Sequence, residues 1–287
     1  MSNYFFFYFQ PEIMATPHVP SAAFEQTLIE LAAATGQLMA DHAAKDLSHD
    51  IRRLGSRLAS ILDVLIRASN EAGVTLEAAA VKNRAKTLDR WPVDRAFPPL
   101  FDETAPPEER LPRSLSIEIF ERKVSGKNYV FQTCKGLNIG DRLTDNAMTA
   151  DDYRFHDVFH YAYVAVLGWS PVTRSLFRLK RKSDPKIDEA QDGARATLIE
   201  EGVATWIFGQ AVNMKLFEGL NAGELPFDLL KQVRQFVSGY EVEHCPAWLW
   251  ERAILQGYSA FRYLREHRAG TVTIDTTNRR LEIGPLS

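Results

Sequence analysis

The chain has 287 residues, 45% hydrophobic and 25% charged, enough to bury one large core or two modest ones. A formal net charge of -3 argues against a general nucleic-acid binder, and no apolar run approaches the roughly 20 residues of a membrane-crossing helix. Cys134 and Cys245 lie far apart without a CxxC pattern, which argues against a disulfide framework or a structural zinc site and points to a reducing cytoplasm.

The N-terminus packs six aromatics into its first nine residues but lacks the length and basic charge of a signal peptide. An oligomer contact, or an upstream start ahead of Met14, is the expected reading, with an added strand as the third. From Ser21, a candidate N-cap, apolar residues recur through Leu28, Leu31, Leu38 and Met39 at helical spacing. A second helix is predicted from about Ser48, with Ile51, Leu54, Leu58, Ile61, Leu62, Leu65 and Ile66 as its apolar stripe and a stop near Gly73. A shorter third runs from Thr75 to just before Pro92.

Residues 96–113 are rich in proline and acids and read as a linker or extended loop. SLSIEIFERK and NYVFQTCKGLNIGD alternate in period two around a Gly-Lys turn, a β-hairpin signature. Asp141, Asp145 and Asn146 then cluster where they would cap the next helix.

Almost every residue suited to chemistry falls in the following sixty. Two helices are predicted, DDYRFHDVFHYAYVAVLGWSP and DEAQDGARATLIEEGVATWIFG, joined by a basic connector with Arg174, Arg178, Lys180, Arg181 and Lys182. On the first, His156 and His160 lie roughly 40° apart and Asp157 within about 100° of both. On the second, Glu189 and Glu200 are close to three full turns apart with Asp192 about 60° away, so three carboxylates share a stripe with Ala196 and Val203. Inward carboxylates need a cation, a proton or several donors. Taken singly, such residues are most often a solvated face or ion pairs, with Arg195 and Arg181 as partners. Taken together, two histidines, several acids and a basic connector fit a carboxylate metal site beside a phosphate clamp.

The tail reads as two amphipathic helices, FDLLKQVRQFVSGY and WLWERAILQGYSAFRYLREH, the second carrying Trp248, Trp250, Ile254, Phe261 and Leu264 for the core. TVTIDTTNRRLEI is a closing hairpin turning at Thr277 and Asn278 that would join the earlier one in a small antiparallel sheet.

Two resemblances follow from these motifs. Gly73, Leu76, Glu77, Asn83, Lys86, Arg90 and Trp91 look like the end of a MazG-like, all-α nucleoside triphosphate pyrophosphohydrolase unit. That family's metal-binding acids are missing, because the corresponding positions are Ala33, Ala34 and Gln37, then Ser56 and Ser60. The unit therefore reads as a non-catalytic shell for dimerisation or substrate cover. From Gly140 onward the chain resembles more closely the C-terminal domain attached to MazG-like proteins. The matching residues include Asp141, Thr144, Asp145, Arg154, His156, Asp157 and His160. Gly168, Trp169, Ser170, Pro171, Lys180, Arg181, Asp188, Glu189, Asp192, Gly193, Arg195, Glu200 and Glu201 extend the match.

The expected fold is mainly α with small antiparallel β hairpins, an α+β arrangement. Residues 1–20 are an extension, 21–95 the degenerate helical unit, 96–113 the linker and 114–287 the C-terminal domain with the site. The resemblance implies a nucleotide-related hydrolase and a homodimer. The mechanism these residues point to is metal-assisted cleavage of a phosphoanhydride, releasing pyrophosphate or phosphate. Asp157, Glu189, Asp192 and Glu200 would hold Mg²⁺ or Mn²⁺, and Glu201 or His160 would take a proton from water. Lys180, Arg181, Arg195 and Arg154 would carry the polyphosphate, and His156 would ligate or orient a carboxylate. Two other classes stay open. Glu241-x-x-His244 beside Asp157-x-x-His160 suggests a ferritin-like di-metal oxidase, although Gly239 and Pro246 bracket that segment as a helix end. The missing N-terminal acids suggest a nucleotide-binding regulator without turnover.

Overall fold

The computed structural model describes residues 21–46 and 50–286, so the aromatic N-terminus and the helix start expected at Ser48 lie outside the described residues. The chain divides into two units, 1–86 and 87–287. In the first, α1 (Ala22–Ala43) begins as expected at Ser21, whose hydroxyl accepts the Phe24 N–H at 3.1 Å. Helix α2 (Ile51–Glu71) is capped by Asp50, which accepts the Arg53 N–H. Helix α3 (Leu76–Arg90) follows Thr75, whose hydroxyl accepts the Ala78 N–H, and its residues 87–90 belong to the second unit. Asp41 is buried in the α1–α2 hairpin, where Arg57 Nε donates to it at 2.7 Å and Gln37 Nε2 at 2.9 Å. The Arg57 hydrogen bond, then that of Gln37, hold its carboxyl down at about 2.

In the second unit the two predicted hairpins join into one antiparallel sheet. Strands β1 (Ser114–Val124), β2 (Lys127–Cys134), β3 (Leu137–Asn138), β4 (Ala269–Asp275) and β5 (Arg280–Gly284) lie in the order β3-β2-β1-β4-β5. Strand β1 pairs with β4 from Ser114↔Asp275 to Phe120↔Ala269, so chain segments at opposite ends of this unit share a ladder. The period-two pattern works as read: Ile117, Ile119, Val130, Val272 and Ile274 are buried, fixing register by their common face. The β1–β2 turn falls on Ser125 and Gly126, both with positive φ, one residue earlier than the Gly-Lys turn expected.

Among the described residues six helices of this unit, with the end of α3, pack on the sheet and on one another: α4 (Asp157–Ala162), α5 (Pro171–Leu176), α6 (Pro185–Ala190), α7 (Ala194–Val212), α8 (Phe227–Phe236) and α9 (Ala247–His267). Trp248, Trp250, Ile254, Phe261 and Leu264 of α9 are buried as expected, each contributing about 1.5–3 kcal/mol of transfer free energy. Helix α9 packs on α4, and Gly257 leaves room for Ala162, whose Cβ would stand 3.1 Å from an added methyl. Segment 96–113 forms no long element but is anchored to the core. Its Asp102, 1% exposed, accepts from Arg174, Arg113 and the Leu111 N–H. No helix among the described residues is long and apolar enough to cross a membrane.

The second central helix, expected to run unbroken through DEAQDGARATLIEEG, is instead two. Helix α6 ends at Ala190 and α7 starts at Ala194, with Gly193 at the corner. A Cβ on Gly193 would stand 2.2 Å from the Glu189 carbonyl oxygen, so the turn requires a bare α-carbon. The stripe of Glu189, Asp192 and Glu200 therefore does not exist.

Candidate functional site

The site is built where the sequence placed its two histidines. A 3₁₀ turn, Tyr153–Phe155, feeds α4 and continues through a π-helical turn, Tyr163–Leu167, that ends at Gly168 with φ 71°. Helix i, i+1, i+4 spacing puts His156, Asp157 and His160 on one side. The turn is pinned by Arg154, which is buried and donates to Glu121, Asp145 and Asp152 at 2.6–2.7 Å. Asp145 also accepts the Arg154 N–H, the capping role expected of its cluster.

His156 Nδ1 lies 2.9 Å from the Tyr153 carbonyl and His160 Nδ1 lies 2.8 Å from Glu200 Oε1. A carbonyl and a carboxylate can only accept, so each Nδ1 carries a proton and each Nε2 faces the other way. His156 Nε2 is 3.2 Å from Asp157 Oδ1. Glu201 Oε2 sits 3.4 Å from His160 Nε2 and 3.9 Å from His156 Nε2. Ligand atoms of His156, Asp157 and His160 all lie within 4.8 Å of one another. His160 is 1% exposed, and its Nε2 is buried without a hydrogen-bond partner. A buried nitrogen without a hydrogen bond beside carboxylate oxygens is an arrangement a cation can complete. The donor set fits a divalent metal.

Burial and electrostatics set the protonation of these groups. Burial pushes His156 below the ordinary histidine value, against the pull of Asp157, which keeps it neutral. Burial acts in the same sense on His160, but the charge and hydrogen bond of Glu200 and the nearby Glu201 carboxylate outweigh it and raise its pKa well above the ordinary value. Burial works against ionisation of Glu201 too, yet the His160 imidazole 3.4 Å away leaves it lower than a usual carboxyl. The protein thus brings surplus negative charge to one buried imidazole.

Of the four carboxylates expected to converge, only Asp157 joins the histidines. Glu200 is fully buried and satisfied: Oε1 accepts from His160 and from Ser170 Oγ at 2.7 Å, and Oε2 accepts the Val172 N–H at 2.8 Å, at the start of α5. It orients a histidine rather than facing an ion. Asp192 is also fully buried, but Arg181 donates to it from Nη2, Nε and the backbone at 2.7–3.0 Å, and Arg174 stands 3.7 Å away. Glu189 is exposed on α6.

The phosphate clamp is likewise divided. Arg154 and Arg181 are buried and spent on carboxylates, Arg181 on Glu241 as well as Asp192. Arg195 is exposed and Lys180 half-buried, and neither forms an ion pair among the described residues. The ferritin-like arrangement needs Glu241-x-x-His244 at the site, whereas Glu241 binds Arg181 and the segment is a 3₁₀ turn. Three groups at the site carried no local signal. Gln132 of β2 donates to Asp157 Oδ2 and accepts from Tyr161 Oη at 2.5 Å, and the Tyr153 ring stacks on His156 at 4.4 Å. Only Ser170 had one, as the residue before a proline at a helix start.

A family model, described as the MazG C-terminal domain, matches residues 96–287. No curated protein matches the chain, and no solved structure does.

Proposed function

Since the chain belongs to the MazG C-terminal domain family over residues 96–287, we propose that it is a metal-dependent hydrolase of nucleoside triphosphates or related nucleotides, with His156, Asp157 and His160 holding the ion. The observation that carries this reading is the buried His160 Nε2, which makes no hydrogen bond and faces the Glu201 carboxylate at 3.4 Å. A bound divalent ion would neutralise phosphate oxygens and lower the pKa of water. Mg²⁺ or Mn²⁺ would fill this role in the family the sequence resembles.

The chain's own groups supply the rest. Glu201, ionised and with a partly exposed side chain, is placed to take a proton at Oε2. Glu200 holds His160 by its Nδ1–H, so that Nε2 stays aimed at the site. Gln132 fixes Asp157 Oδ2, which leaves Oδ1 beside His156. Arg154 and Arg181 are engaged elsewhere, and of the expected clamp Lys180 and Arg195 form no ion pair among the described residues. The test is release of phosphate or pyrophosphate from a panel of nucleoside triphosphates with added Mg²⁺ or Mn²⁺. Glu201→Gln should lower turnover by about 10²- to 10⁴-fold while leaving the fold intact. Turnover equal to wild type in that variant, or none from any nucleotide in the wild-type protein, rejects the assignment.

A further inference from the structure

We infer that the ion at this centre is an imidazole-ligated 3d metal such as Zn²⁺, Mn²⁺ or Fe²⁺ rather than Mg²⁺, and that Glu200 is the positioning residue that makes His160 a ligand. The inference rests on the metal site proposed above and concerns which ion occupies it. Mg²⁺ is a hard ion that retains its waters and prefers oxygen donors, whereas neutral imidazole nitrogen suits Zn, Fe, Ni and Cu and is shared by Mn. Two of the three clustered donors are nitrogens.

Both nitrogens are prepared for the role by the backbone and by burial, not by chance exposure. His156 Nδ1 donates to the Tyr153 carbonyl, and the Tyr153 ring lies parallel to the imidazole at 4.4 Å, fixing its plane. His160 Nδ1 donates to Glu200, which also accepts from Ser170 Oγ and the Val172 N–H, so the carboxylate is held on both oxygens. An ion bonded at about 2.0–2.2 Å to several donors requires those donors to be about 3 to 4.3 Å apart. The His156 Nε2–Asp157 Oδ1 separation of 3.2 Å falls in that range, and the ligand atoms of all three residues lie within 4.8 Å of one another. The oxygen-rich alternative is dismantled: Asp192 is paired with Arg181, Glu200 with His160 and the α5 start, and Glu189 faces solvent.

The experiment is a titration of the full chain, stripped with a chelator, with Co²⁺ followed by its visible absorption and with Mg²⁺ as competitor. One Co²⁺ per chain should bind with ligand-field bands, be displaced by Zn²⁺, and persist in a large excess of Mg²⁺. His156→Ala and Asp157→Asn, checked for folding by circular dichroism, should weaken Co²⁺ binding at least 100-fold. Glu200→Gln should weaken it about 10- to 100-fold with the band positions shifted, a change that a purely structural role would not produce. Glu189→Gln should bind as wild type. Displacement of Co²⁺ by equimolar Mg²⁺, or unchanged Co²⁺ affinity in folded His156→Ala and Asp157→Asn, overturns the inference. Co²⁺ bound through the histidines without hydrolysis of any nucleotide would sink the hydrolase reading and leave this one standing. Hydrolysis with Mg²⁺ and no Co²⁺ binding would do the reverse.

Discussion

Arg181 illustrates how a residue's role turns on its partners. Its guanidinium is 4% exposed and spans Asp192, fully buried, and Glu241. Removing it strands two carboxylates in the interior, and breaking such a pair costs about 3–5 kcal/mol. Arg181→Ala should therefore shift the urea midpoint strongly downward. A variant that kept wild-type stability and lost only nucleotide affinity would restore the clamp. Asp41 carries the corresponding pH signature. Its pKa falls from an ordinary 3.8 to about 2 on folding, because Arg57 and Gln37 hydrogen-bond the ionised form. Stability from this contact is full above the unfolded value and is lost as pH drops through about 2. Thermal unfolding followed from neutral to strongly acid pH should show Asp41→Asn lacking that component.

Among the elements, the α6–α7 corner decides most. The spacing of Glu189, Asp192 and Glu200 is compatible with one long helix, and nothing in those residues alone says otherwise. Asp192 leaves the helical path because Arg181 draws it in from the connector, and Gly193 permits the turn by its missing side chain. The sign of one substitution separates the two structures. In a continuous helix Gly193→Ala would stabilise by about 1 kcal/mol. At a corner where a Cβ meets the Glu189 carbonyl at 2.2 Å it should destabilise by about 1–3 kcal/mol, measured as a lower Tm. Similarly, the GWSP motif is a hinge between elements: Gly168 ends the π turn in a left-handed conformation, Ser170 caps α5 by accepting the Thr173 N–H, and Pro171 opens it.

At the scale of the whole molecule, the second unit owns its core, its sheet and every residue of the candidate site. Removing residues 1–74, ahead of α3, should leave a chain that unfolds cooperatively in urea and binds Co²⁺ as the full chain does. Loss of both would mean that the helical hairpin is required for the fold. The deletion stops there because Asp89 and Arg90 at the end of α3 are integral to the second unit. Asp89 accepts from Arg234 and the Ala247 N–H, and Arg90 donates to the Gly223 and Leu225 carbonyls.

The sequence by itself determined the local order of the protein. Strand periodicity, the Ser21 cap, both hairpins to within a residue and the i, i+4 histidine pair are properties of neighbouring residues and stand where their patterns put them, whereas helical periodicity ran through the α6–α7 corner. What it left open was pairing between distant charges. Asp157, Asp192 and Glu200 are similar as text. The fold gives Asp157 to a glutamine and a histidine, Asp192 to an arginine and Glu200 to a histidine and a helix start. A buried carboxylate must be satisfied by whatever donor the tertiary structure brings within about 3 Å. That donor's identity is a long-range fact, set by packing and invisible to spacing.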